Sequence, residues 1–168
     1  RLSANGVELW PHNGVLVADR NLSSTTDYGL AVDTAGNALL AFNDDSEASE
    51  RIVAAKISPD GLAIWGTPGI AVSTSTGFLA SPRIAGTDDG DVVVAWFQVS
   101  DTVLQRLDPA GAKLWATDGL VLAHSGDTFV VADLQATGAN GGLDTGNVIV
   151  SWVRYVTFAG AKHLWAQK

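Results

Sequence analysis

"GAKLWATDG", residues 111–119, spaces glycine, tryptophan and glycine at four-residue intervals. The same spacing returns in "GVELWPHNG" at 6–14 and in "GLAIWGTPG" at 61–69. Upstream of each lies a basic residue followed by an aliphatic one: "RLSANG" at 1–6, "KISPDG" at 56–61 and "RLDPAG" at 106–111. A second element recurs as "ALLAF" at 38–42, "VVVAW" at 92–96 and "VIVSW" at 148–152, ending at Phe42, Trp96 and Trp152. Each of these is entered through a turn-forming stretch, "DTAGN" at 33–37, "TDDGD" at 87–91 or "GLDTGN" at 142–147. The chain therefore holds three copies of one unit, at approximately 1–55, 56–105 and 106–168.

Each copy reads as four short strands. In the middle one these are strand a at 82–87, b at 91–99, c at 102–108 and d at 112–115. β-Branched and aromatic residues fill the segments, and Gly, Asp, Asn and Pro punctuate them, which favours strand over helix. No segment keeps a helical apolar period for ten residues without Gly or Pro. Gly6, Gly61 and Gly111 are expected to close the hairpins that follow strand c, where a turn often demands positive φ. Trp10, Trp65 and Trp115, four residues on, are placed to pack between neighbouring sheets, and Gly14, Gly69 and Gly119 to break the strand. On this reading the motif is scaffold.

Repeats of this length with four strands each predict an all-β fold, a β-propeller built of four-stranded antiparallel blades, with three blades in this chain. The stretches "AKISPDGLAIWGTPGIAV" and "LQRLDPAGAKLWATDGLVL" resemble blades of bacterial extracellular propeller-repeat proteins. More loosely, they are similar to Asp-box (sialidase-type) and quinoprotein-type blades. The Asp-box pattern has Ser58, Asp60 and Trp65 in register, but Gly61 comes one place early. The quinoprotein pattern wants Thr where this chain has Asn5, Asp60 and Ala110. Both departures count against the enzyme activities that accompany those patterns. The resemblance implies an extracellular or cell-surface location and a bacterial source.

Composition narrows the partners. Of 168 residues 46% are hydrophobic and 17% charged, a balance that folds around a core. The net charge of −8, with basic residues scattered singly, argues against nucleic acid, whose phosphates call for clustered Lys and Arg. A basic amphipathic helix is likewise missing from the sequence, so no membrane association is expected. With no Cys, disulfides and thiol chemistry are excluded.

The repeat phase carries a further expectation. "HLWAQK" at 163–168 aligns with the strand c segments ending at Lys56 and Arg106, so Lys168 and Arg1 hold equivalent places. Three blades are fewer than the usual four to eight and leave two apolar faces open. A second copy of the chain, or missing blades, is expected to complete the ring.

Candidate site residues come from loops where the repeats disagree. "NDDSEASE" at 43–50 joins strands b and c on the side opposite the glycine hairpins, making Asp44, Asp45 and Glu47 ligand-binding candidates. "RYVTFAGAK" at 154–162 is a longer b–c connection carrying Arg154, Tyr155 and Phe158, and an aromatic beside a guanidinium suits a glycan or a protein ligand. "TDDGD" lacks the alternating carboxylate spacing of a Ca²⁺ loop and reads as a hairpin turn. His12, His124 and His163 fall at unrelated repeat positions, which disfavours a metal triad. No Gly-x-Ser-x-Gly, HExxH or phosphate-binding glycine loop occurs, so no catalytic residue, metal or cofactor is assigned. The expected function is a non-catalytic extracellular binding module. The competing classes are a piece of a propeller enzyme, of hydrolase or quinoprotein type, and a structural repeat of a surface or filament protein.

Overall fold

A computed structural model describes residues 1–18, 28–44, 50–138 and 145–168, and all of its regular structure is β. The first antiparallel sheet is β1 (Tyr28–Val32), β2 (Ala38–Asp44), β3 (Arg51–Ile57) and β4 (Ile70–Ala71), paired in chain order. The second repeats it with β5 (Leu79–Gly86), β6 (Val92–Gln98), β7 (Asp101–Leu107) and β8 (Leu120–Leu122). The third has three strands, β9 (Thr128–Ala136), β10 (Val148–Tyr155) and β11 (His163–Gln167), with β11 at its edge. The all-β expectation is met, and the fourfold strand count holds for two of the three sheets.

Sheets one and two bury a shared core of Leu39, Ile52, Ile84, Val94 and Trp96. Sheets two and three bury another, built from Val93, Phe97, Leu104, Phe129 and Trp152. The middle sheet is thus covered on both faces, which is why Val92–Trp96 is apolar at every position rather than alternating. β1, by contrast, alternates, with Tyr28, Leu30 and Val32 exposed on one face. The first strands β1, β5 and β9 lie side by side, and the later strands of each sheet run outward from them.

Strand d is not where the sequence reading put it. Residues 112–115 make a single bridge, Leu107 to Lys113, and the outer strand β8 follows Gly119 instead. The buried side chain of Gln105 explains the interruption. Its Oε1 accepts from the backbone N–H of Trp115 at 3.2 Å, and its Nε2 donates to the Ala116 carbonyl at 2.8 Å. A side chain thereby takes the bonds a ladder would have made, and the chain bulges around Trp115 before pairing resumes. Gly119 ends the bulge at a φ of 79°, where an added Cβ would collide with the Leu104 carbonyl.

The tryptophans act between repeats. Trp10 Nε1 donates to the Pro59 carbonyl at 2.8 Å, and Trp65 Nε1 donates to the Pro109 carbonyl at 3.1 Å. Each indole lies against the hairpin glycine of the following repeat, Gly61 or Gly111, whose missing Cβ leaves room for the ring. Spacing of glycine and tryptophan in one copy is therefore read out by the turn of the next.

Candidate functional site

The b–c connections carry the sequence-predicted candidates. Asp44 ends β2, is fully buried, and its Oδ2 lies 3.5 Å from the Arg51 guanidinium across the strand pair. It is turned into the sheet rather than toward solvent. Asp45 and Glu47 lie outside the described residues.

Arg154 and Tyr155 end β10, and the structure surrounds them with groups the sequence did not single out. Arg154 Nε donates to Asp127 Oδ2 at 2.6 Å, and its second nitrogen reaches the same oxygen at 2.5 Å. His124 Nδ1 lies 3.1 Å from that oxygen, so Asp127 is shared between two basic side chains. The guanidinium is also flanked by rings, 5.8 Å from Phe129 and 5.5 Å from Trp165. Phe129 in turn stacks on Trp152 at 5.8 Å, which anchors the cluster to the core between sheets two and three. The Asp127 carboxylate and the two rings thus surround the Arg154 guanidinium.

Beyond Arg154 an open cleft of about 420 Å³ lies between the β10–β11 loop and the sheet end. Its walls include Arg154, Tyr155, Thr157, Gly160, His163 and Trp165. The Lys162 ammonium sits 5.6 Å from the Tyr155 ring and 4.7 Å from the Phe158 ring. Phe158 is 80% exposed and Trp165 47% exposed. The cleft therefore offers flat apolar faces with cationic donors beside them, which is the chemistry for a polyol ring or an acidic group carried on one.

Of these residues, Asp127, Lys162 and Trp165 escaped the sequence reading. A signal was present for Trp165. Through the strand registers it occupies the place of Val53 and Val103, so an indole replaces valine at that position of the repeat. Asp127 had none, because only folding brings it beside Arg154.

Several other charged groups have structural partners. Arg106 donates to Asp89 Oδ2, Asp91 Oδ2 and the Gly146 carbonyl, each at 2.7 Å, and Gly146 N–H donates to Asp88 Oδ1 at 2.8 Å. The "TDDGD" carboxylates are thus spent on a clamp between the turns of sheets two and three. Burial raises the pKa of Asp89, but hydrogen bonds from Thr87 and Asp91 with the Arg106 charge outweigh it, holding the carboxyl below its ordinary value. Arg83, on β5, donates to the Ala132 and Pro82 carbonyls at 3.0 and 2.9 Å and ties β5 to β9. Among the described residues, no group of three or more His, Asp or Glu is placed to hold a metal ion.

No protein-family model and no curated protein matches this chain.

Proposed function

We propose that the chain is a non-catalytic binding module of β-propeller type, acting outside the cell, which takes a glycan into the cleft at the end of β10 and β11. The observation that carries the reading is that Tyr155 and Trp165 both line one open cleft, with Arg154 beside the Trp165 ring and Lys162 beside the rings of Tyr155 and Phe158 on the adjoining loop. Sugar rings present axial C–H faces that stack on aromatics and hydroxyls that accept from fixed cationic donors. The propeller assignment is supported by sheets that stack face on face, each running outward from adjacent first strands. A non-catalytic role is favoured because the acidic and basic groups of the cleft already serve one another, Asp127 being bonded to Arg154 and His124. The extracellular location rests on the likeness of the blade sequence to exported repeat proteins.

Titration of the intact chain with a panel of neutral and acidic oligosaccharides, followed by tryptophan fluorescence, tests this. Binding that quenches or shifts Trp165 emission and is lost in Tyr155→Ala and Phe158→Ala is the expected result. Absence of binding across the panel, or binding that both variants retain, would overturn it.

A further inference from the structure

Acidic side chains outnumber Lys and Arg by 18 to 10 in this chain, yet none lines the cleft at the end of β10. Its wall carries Arg154 and His163 instead, and the Lys162 ammonium stands against the Tyr155 ring. Comparison of the repeats shows what changed. The strand pair that opens each b–c connection holds Asp44 opposite Arg51 in sheet one and Gln98 opposite Asp101 in sheet two. In sheet three the same place holds Arg154 opposite His163. The acid present in the first two pairs is missing from the third, where two basic side chains face each other and repel when both are charged.

Asp127 answers only part of that charge. It comes from the connection between β8 and β9, its side chain is 7% exposed, and it is not part of the cleft wall. Its Oδ2 already meets Nε and Nη2 of Arg154 and Nδ1 of His124. Nη1 of Arg154 has no hydrogen-bond acceptor among the described residues, and neither Lys162 nor His163 has an acidic partner among them. The rings of Tyr155 and Phe158 attract the Lys162 ammonium but carry no net charge to offset it.

We infer that the glycan taken by this cleft is an acidic one. Its carboxylate or sulfate ester meets Lys162, His163 and Nη1 of Arg154 while its ring stacks on Tyr155. Ammonium and guanidinium are donors only, and neutral imidazole keeps one N–H, so all three groups offer hydrogen bonds to an anionic oxygen. Such charge-assisted bonds are about twice as strong as those a neutral hydroxyl makes. The net charge of −8 does not oppose this, because at physiological salt screening over about 8 Å leaves the local sign to decide. The inference rests on the glycan reading and narrows it to one chemical class. A neutral sugar would use the rings of the cleft and nothing of its charge.

Calorimetric titration of the intact chain with matched oligosaccharides tests it, using a neutral oligomer, its uronate counterpart and its O-sulfated counterpart. At low salt at least one acidic form is expected to bind roughly tenfold tighter than the neutral one, and the tighter of the two identifies the acidic group. That advantage should shrink at about 1 M salt, where the screening length falls to about 3 Å. Lys162 is exposed, so Lys162→Met keeps the fold and the stem against the rings while removing the charge. It is expected to narrow the ratio of acidic to neutral affinity roughly fivefold. Equal affinity for every form, or an acidic preference that neither salt nor Lys162→Met reduces, overturns the inference and leaves the glycan reading standing. Binding of none of the forms overturns both.

Discussion

Trp65 and Pro109 are joined by a 3.1 Å hydrogen bond from indole to carbonyl across the boundary between two repeats, as Trp10 and Pro59 are at 2.8 Å. The bond fixes the distance between a bulge in one sheet and a turn in the next, so it transmits position as well as energy. Trp65→Phe keeps most of the packing on Gly111 and loses only the donor. The expected loss is about 1 kcal/mol of unfolding free energy, with a similar loss for Trp10→Phe. Urea unfolding of the two variants measures it, and an unchanged midpoint for both would show the bond to be dispensable.

Arg106 is the second tie between sheets, holding Asp89 and Asp91 of its own sheet and the Gly146 carbonyl of the next. Its side chain is 19% exposed, and of the two carboxylates Asp91 is the more buried while Asp89 keeps access to solvent. Arg106→Gln is expected to cost about 2 kcal/mol, since Asp91 and the Gly146 carbonyl lose their charged donor and Asp89 is partly rehydrated. Arg106→Lys retains charge but cannot span three acceptors, and falls between the variant and the wild type. Thermal unfolding of the three proteins side by side checks the order.

Asp33 supplies a pH dependence. It accepts from the backbone N–H of Ala35 and Asn37 and from the Asn37 side chain, and it faces Lys56 at 3.2 Å in a buried pair. Burial raises its pKa, while the Asn37 hydrogen bonds and Lys56 lower it by more, leaving the folded value below 3.8. The unfolded chain therefore binds a proton here at higher pH than the folded one does. The stabilisation is complete above the unfolded value and is lost as pH falls through the depressed folded value. Stability should decline below about pH 4, and Asp33→Asn should flatten that decline while lowering stability at pH 7. Denaturant midpoints at pH 3, 5 and 7 separate the two effects; parallel curves for wild type and variant would refute the assignment.

Much of this was legible in the chain itself, because a threefold repeat averages out local ambiguity. Strands β5, β6 and β7 begin and end within three residues of their expected positions, and the tryptophans do pack between repeats. The outer strand was misplaced because "AKLW" has the composition of a strand, while the group that interrupts it, Gln105, comes from the opposite strand and carries no local signal. The burial of Asp44 was illegible for a related reason: its position at a loop mouth carries no sign that the side chain lies inward beside Arg51. At the cleft, Arg154 and Tyr155 stood out in sequence, whereas Asp127 and Trp165 join them only through pairing of β9, β10 and β11. Long-range register is what a single sequence withholds.

Val99 carries local strain that can be relieved. It holds a φ of 59° in the two-residue link between β6 and β7, a region that β-branched side chains rarely adopt. Nothing compensates through burial, for the side chain is 61% exposed. The link is nevertheless well bonded, with the Val99 N–H donating to the Phe78 carbonyl at 2.9 Å and the Phe129 N–H donating to the Ser100 carbonyl at 2.7 Å. The backbone is therefore dictated by its neighbours on both sides, and the residue must accept the angle. Positive φ at the first residue only of a two-residue hairpin link is the pattern that favours Gly there. Val99→Gly should raise the unfolding free energy by about 1 kcal/mol, the lower end of what such a dihedral costs. Val99→Asn should gain less, and Val99→Ile should gain nothing. Guanidinium unfolding of the three variants tests the order, and a destabilised Gly variant would show that the side chain, not the backbone, governs this turn.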